Sequence, residues 1–179
     1  LIDQSLSKGI FGEGFEFRAG QREVIEAICN HYIEDPQGTI ILDAPTGSGK
    51  SLIAMWSAHI LKELGKRGYL VTSDLMLQDQ YEEDFKRLKL NWPSIRGVDN
   101  YTCNVNDLPF SLADCKMKGI GYEAAEKLKC WGTCGYLQGR RRAKELPVAL
   151  FNYSYYLIQR NYVEDKMQEQ DREVPFPIR

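Results

Sequence analysis

The sequence predicts a parallel α/β domain interrupted by a cysteine-bearing insert, and three observations carry that prediction. An apolar run, Thr39-Ile40-Ile41-Leu42-Asp43, feeds the small-residue turn Ala44-Pro45-Thr46-Gly47-Ser48-Gly49, after which Lys50 and Ser51 open a helical pattern. Short apolar runs alternate with helical periodicity along the first ninety or so residues, which is the pattern of a sheet covered by helices, with ligands at the strands' carboxyl ends. Four of five cysteines then crowd into one stretch where neither periodicity holds.

The elements follow in order. The opening to about Gly20 holds Gly9, Gly12, Gly14 and Gly20 among Phe11, Phe15 and Phe17, and reads as an irregular approach segment. Gln21 to Glu34 places Val24/Ile25, Ile28 and Tyr32 at helical spacing before Asp35-Pro36-Gln37-Gly38 stops the helix. Cys29 lies on that apolar side and is expected to be core. Thr39 to Asp43 is the expected first strand. Ser51 to Leu64 is apolar nearly all round, so its helix should be buried, with His59 in or at the edge of the core and Gly65 as the C′ residue. Gly68 to Ser73 predicts a strand and Leu75 to Leu88 a helix. From Asn91 to about Leu146 no strand is expected, only helices near Tyr122 to Lys129 and Tyr136 to Glu145. Strand character returns over Pro147 to Tyr153. The polar tail Glu164 to Glu173 and the Val174-Pro175-Phe176-Pro177 end carry no regular pattern, and no internal repeat is evident.

The turn at residues 44–49 has the chemistry of a phosphate-binding loop. Glycines let the backbone curl until successive N–H groups point inward at a polyphosphate. The following helix contributes the positive end of its dipole. Lys50 is placed to reach the β- and γ-phosphates, and the Ser51 hydroxyl to ligate Mg²⁺. Ala44 stands where the common pattern has its first glycine. The alternative, a strand–helix turn with no ligand, leaves the order of strand, loop, lysine and helix unexplained.

Composition narrows the class. The chain has 179 residues, 43% hydrophobic and 27% charged, enough for one globular domain with a core. No apolar run approaches the ~20 residues of a membrane helix, and the first residues lack a signal-peptide pattern. Net charge is −2, but Lys86 to Lys144 holds twelve basic and five acidic residues, so that stretch carries +7 and the remainder −9. A basic middle in an acidic protein reads as a surface for a polyanion, against the plainer alternative of a solvated basic face. The compartment is expected to be reducing and cytoplasmic, or nuclear in a eukaryote, which disfavours disulfides.

The cysteine spacing is Cys103-x11-Cys115-x14-Cys130-x3-Cys134. Structural zinc usually shows two tight pairs, and only Cys130 and Cys134 are close here. Four thiolates spread over a loop-rich insert also suit a [4Fe–4S] cluster, with one Cys per iron. Spacing alone leaves cluster, zinc and unligated thiols open. Tyr101 and Trp131 flank the ligand candidates.

Several of these pieces together resemble one family. Phe17-Arg18-Ala19-Gly20-Gln21 resembles the adenine-reading R-x-x-Q segment of helicases, and Ala44 to Ser51 resembles helicase motif I. Leu70-Val71-Thr72-Ser73 followed by Leu77-Gln78-Asp79-Gln80 resembles motif Ia. Arg96-Gly97-Val98-Asp99-Asn100-Tyr101-Thr102-Cys103 is similar to the K-G-R-S-N-Y-x-C entry of an iron–sulfur domain. Phe151 to Leu157 resembles the N-Y-x-x-L stretch ahead of the D-E-A-H box. The series resembles the XPD/DinG iron–sulfur DNA helicases of superfamily two over nearly the whole chain.

That resemblance implies a RecA-like P-loop parallel sheet, as part of a motor domain, with a loop- and helix-rich iron–sulfur insert. Residues 1–90 would be its first part, 91–146 the insert, and 147–179 the return strand and tail. It implies that Gln21 and Arg18 recognise the adenine of ATP, with Phe17 or Phe15 stacking on it. Thr46, Gly47, Ser48, Gly49, Lys50 and Ser51 would hold the triphosphate and Mg²⁺, with Lys50 and Ser51 serving catalysis. Cys103, Cys115, Cys130 and Cys134 would ligate the cluster, with zinc as the alternative. Thr72 and Ser73 would touch a DNA phosphate, and Arg140, Arg141, Arg142 and Lys144 would grip single-stranded DNA at a duplex fork.

Three departures qualify the match: Asp74 replaces a common hydroxyl residue, Val98 replaces a common basic one, and the cysteine spacing is compact. No D-E-x-H strand follows Tyr153, so the chain is expected to be the N-terminal segment of a longer motor. The second motor domain would be the partner that completes hydrolysis, and the segment alone would be weakly active or inactive. The implied function is ATP-dependent DNA unwinding, 5′ to 3′ on single strands, as in DNA repair. A non-unwinding P-loop module with a structural zinc is the alternative. A small-molecule kinase explains neither the cysteines nor Gln21.

Overall fold

A computed structural model of the protein describes residues 15–120 and 122–159. The glycine-rich opening up to Gly14 and the polar tail from Glu164 lie outside the described residues.

Helix α1 (Gln21–Glu34) starts after Gly20, whose φ of 81° lets the chain turn sharply into it. Helix α2 (Lys50–Glu63) starts in the same way after Gly49, at φ 84°. These two pack through Ile25, Cys29, Ile53, Trp56 and Ile60, all buried, with Phe15 and Phe17 laid against them. Cys29 is fully buried there, and burial pushes its thiol up to about 11, with a hydrogen bond involving Ser57 acting the other way. His59 is half-buried, edge-on to Trp56.

Strand β1 (Gly68–Thr72) leads to helix α3 (Leu75–Arg87), the two-residue strand β2 (Ser94–Ile95), short 3-10 turns at Val98–Asn100 and Phe110–Leu112, and helices α4 (Asp114–Met117) and α5 (Tyr122–Ala125). Helix α6 (Gly135–Glu145), strand β3 (Val148–Asn152) and helix α7 (Tyr153–Ile158) follow. The sheet is parallel, in the order β1-β3-β2, with Gly68 to Thr72 paired in register with Val148 to Asn152.

β3 is the central strand, and its alternation explains the layering. Val148 and Leu150 face Met55, Tyr81, Phe85 and Trp92 from α2, α3 and the loop after α3. Ala149 and Phe151 face Tyr136, Leu137 and Tyr155 from α6 and α7. A strand buried on both faces reads as a continuous apolar run, as this one does. No helix among the described residues is long and apolar enough to cross a membrane.

Three expectations change. Thr39 to Asp43 forms no strand: Ile41 is 90% exposed, and no described strand pairs with the run. β propensity needs a neighbour to supply hydrogen bonds and packing. β2 falls inside the stretch assigned to the insert, so the sheet reclaims residues 94–95. The helix expected near Tyr122 to Lys129 ends at Ala125.

Candidate functional site

The loop from Ala44 to Ser51 is held by the segment ahead of α1. Gln21, only 5% exposed, accepts a hydrogen bond from the Arg18 N–H at Oε1 (3.0 Å) and donates from Nε2 to the Ser48 carbonyl (2.8 Å). Arg18 Nη1 donates to the Gly47 carbonyl (2.6 Å). The two side chains of the R-x-x-Q segment therefore grip consecutive carbonyls of the glycine turn. Gly47 and Gly49 have φ of 82° and 84°, a region L side chains avoid. A Cβ on Gly49 would also run into Gln21 Nε2, whereas one on Gly47 would meet nothing within 4 Å.

The loop suits a polyphosphate with Mg²⁺. Gly49 provides no side-chain cap, which leaves the first-turn amides of α2 without that partner. The Ser48 hydroxyl is buried without a hydrogen-bond partner. Lys50 Nζ donates to the carbonyls of Ala44 (2.8 Å) and Pro45 (3.0 Å), bonds that phosphate oxygens can replace. Ser51 places a hydroxyl in the first turn of α2. Burial pushes the Tyr81 phenol of α3 up, and the Ser51 hydroxyl acts the other way. Thr46 is exposed at the tip. Phe17 and Phe15 lie 5.2 and 6.3 Å from Trp56 and are half-buried, which ties both rings to the α1–α2 core.

At the carboxyl end of β1 the two hydroxyls part. Thr72 is buried, and its Oγ1 accepts from the Asp74 N–H (3.3 Å), closing a turn. Ser73 is exposed. Asp74 accepts from the Met76 N–H (2.8 Å) and so N-caps α3 with a carboxylate. A phosphate approaching that helix end meets this charge, the physical content of the motif Ia departure.

The basic row on α6 is also split. Successive helical residues are about 100° apart, so Arg140, Arg141 and Arg142 point three ways. Arg140 lies over the Tyr136 ring, 5.8 Å from its centroid. Arg142 donates to Asn91. Arg141 and Lys144, three apart, share an exposed face, Arg141 standing 3.8 Å from Glu145. Arg67 closes the helix, donating from Nη2 to the carbonyls of Lys144 (2.5 Å) and Leu146 (3.0 Å).

The cysteine-bearing stretch is anchored at its start. Arg96 pairs with Asp79 and Glu82 of α3 (2.8 Å to Glu82), and its backbone N–H donates to the Tyr101 hydroxyl (3.1 Å). Tyr101 lies edge-on to Tyr136. Cys103 and Cys134 are buried and Cys115 and Cys130 half-buried, with Cys115 and Trp131 packed against the same apolar cluster.

Cys115 feels the other three thiols. Burial, then the proximity of Cys103 and Cys130, raises the Cys115 thiol, and Cys134 contributes as well. Burial also raises Cys134, while the amides of Leu137 and Tyr136 at the start of α6 favour its thiolate. Cys115 and Arg140 line one cavity of about 90 Å³. Among the described residues, no three His, Cys, Asp or Glu side chains are arranged to hold a metal ion.

Sheet, loop and helix define a P-loop α/β domain of helicase type. The chain matches the family described as type III restriction enzyme, res subunit, over residues 14–110, more than half its length, and belongs to that family. The family's domain is a superfamily-two helicase-like domain. The match spans the Gln21 segment, the loop, α3 and Cys103; Cys115, Cys130 and Cys134 lie beyond it. No curated protein matches the chain. Arg67, which closes α6, carried no sequence signal.

Proposed function

We propose that this chain is the ATP- and nucleic-acid-binding segment of an ATP-dependent DNA helicase of the iron–sulfur type. One observation carries the nucleotide part: Arg18 and Gln21 are bonded to the carbonyls of Gly47 and Ser48. A segment that reads adenine and a loop that holds phosphates are thereby a single unit, so base identity reaches the loop's shape. Lys50 and the α2 amides take the β- and γ-phosphates, and Ser51 takes Mg²⁺. The bound ion neutralises charge developing on the phosphates during transfer. Hydrolysis would also need a water-positioning carboxylate and an arginine finger.

Ser73, Arg141 and Lys144 are the outward-facing groups for a single strand, moving 5′ to 3′ as the resemblance implies. Cys103, Cys115, Cys130 and Cys134 hold a [4Fe–4S] cluster that pins the insert at the fork. What supports the reading is the donor chemistry: Cys103, Cys134 and Cys115 lie in or against one apolar cluster with Tyr101 and Trp131, although among the described residues the thiols are not arranged to hold a metal ion. One zinc ion needs every sulfur about 2.3 Å from one centre, whereas a cubane gives each thiolate its own iron.

The test is discrimination between ATP and GTP by the whole chain. The wild type should prefer ATP, and Gln21→Ala should lose that preference while keeping affinity for triphosphate. Equal affinity for the two in the wild type contradicts the reading. The second reading, a zinc-stabilised binding module, is separated by metal content: four irons per chain with absorbance near ~400 nm against one zinc in protein prepared without oxygen.

A further inference from the structure

We propose that the groove between α3 and α6, along the β2 edge of the sheet, seats one unpaired nucleotide of the strand, with its phosphate on Lys86 and its base against Trp92 and Tyr101. The inference rests on the nucleic-acid reading above and deepens it by naming a place where the strand is held. β2 is an edge strand, with α3 packed on one face of the sheet and α6 on the other. The space between the two helices is a groove of about 620 Å³, within the usual size of a ligand site.

Its walls carry both halves of a nucleotide's chemistry. Lys86, Arg96 and Arg142 line it against a single carboxylate, Glu82. Arg96 is paired with Glu82 and Asp79, and Arg142 with the Asn91 side chain, so these two frame the groove. Lys86 is exposed and stands in no ion pair among the described residues, which leaves its ammonium for a phosphate. The aromatic side is rigid. Trp92 is buried, edge-on to the Phe85 ring at 5.2 Å. Tyr101 is edge-on to Tyr136, and its hydroxyl accepts the Arg96 N–H. Fixed aromatic surfaces beside a free cation suit any base, because every base has a π-face. An acidic peptide would use the cation and leave the rings idle.

The experiment uses the whole chain and an oligothymidylate, unmodified for salt titrations and carrying 5-iododeoxyuridine for photo-crosslinking. Crosslinks, located by mass spectrometry, should fall on Trp92 or Tyr101. Lys86→Ala should lower the salt-dependence slope of binding by about 0.7, one phosphate contact, and Lys86→Arg should restore it. Both variants leave the buried rings intact, so the fold is not at stake. An unchanged slope in Lys86→Ala, or the absence of crosslinks at both Trp92 and Tyr101, overturns the proposal and leaves strand binding standing. Polyglutamate that binds with a dependence on Lys86, where the oligonucleotide shows none, assigns the groove to an acidic peptide and overturns the proposal as well. Failure of the wild type to bind the oligonucleotide overturns both this proposal and the strand reading.

Discussion

Gly47 and Gly49 differ in what they are for, although both hold a positive φ near 83°. Alanine at either position costs about 1 kcal/mol of backbone strain. Only at residue 49 would the new methyl press on Gln21 Nε2 and disturb its bond to Ser48. Gly49→Ala should therefore weaken the preference for ATP over GTP, whereas Gly47→Ala should lower the melting temperature by a similar amount and leave the preference intact. Nucleotide titration beside thermal unfolding separates the two. The loop itself was legible because its residue types are dictated by backbone geometry and phosphate chemistry. The inward turn of Thr72 and the capping by Asp74 were less so, although an Asp directly before a helical run is a known N-cap signal. Its meaning was masked by comparison with a hydroxyl at that position.

Among the elements, α6 gives the sharpest contrast between pattern and outcome. Its boundaries were readable from periodicity, but a run of three arginines is not a patch, because helical geometry fans them apart. Replacing Arg141 and Lys144 with Ala should lower the salt-dependence slope of single-strand binding by about 1.4, at about 0.7 per lost phosphate contact. Arg142→Ala, with its guanidinium on Asn91, should change the slope much less. Arg67→Ala removes the donor to the last carbonyls of α6 and should cost about 1 kcal/mol, read as faster amide exchange in that helix. Cys130→Ser should strip iron from the insert and expose residues 96–134 to proteolysis, because metal binding is part of the folding free energy of such a region. Retained iron with unchanged protease resistance would contradict the ligand assignment.

Two other elements explain why sequence patterns stopped short. α7 was signalled only by Asn152, whose Oδ1 accepts the Ser154 N–H, a cap motif hidden at the end of a strand. β2 is two residues long, too short for alternation to register, and is located by its pairing with β3 and by buried Gln78, which donates to Ser94 Oγ and the Ile95 carbonyl.

On the scale of the whole molecule, the alternation of helix and strand did specify the layers, since each local pattern agreed with its place around β3. What it could not specify was pairing. Thr39 to Asp43 has strong strand character, yet Ile41 and Leu42 stand exposed, because partners in a sheet are non-local in sequence. The insert, too, is assembled from distant pieces: Arg96 on α3, Tyr101 on Tyr136, and Asn104 donating to the Thr133 carbonyl. The first of these contacts joins the cysteine region to α3, and the other two hold its own distant pieces together.

The proposed function requires the loop to be a working Mg·ATP site. The measurement that tests it most directly is the affinity of the 179-residue chain for a non-hydrolysable Mg·ATP analogue, wild type against Lys50→Ala. The Lys50 ammonium, released from the Ala44 and Pro45 carbonyls, should carry at least a tenfold share of that affinity, about 1.4 kcal/mol or more. Equal binding by the two proteins would contradict the account.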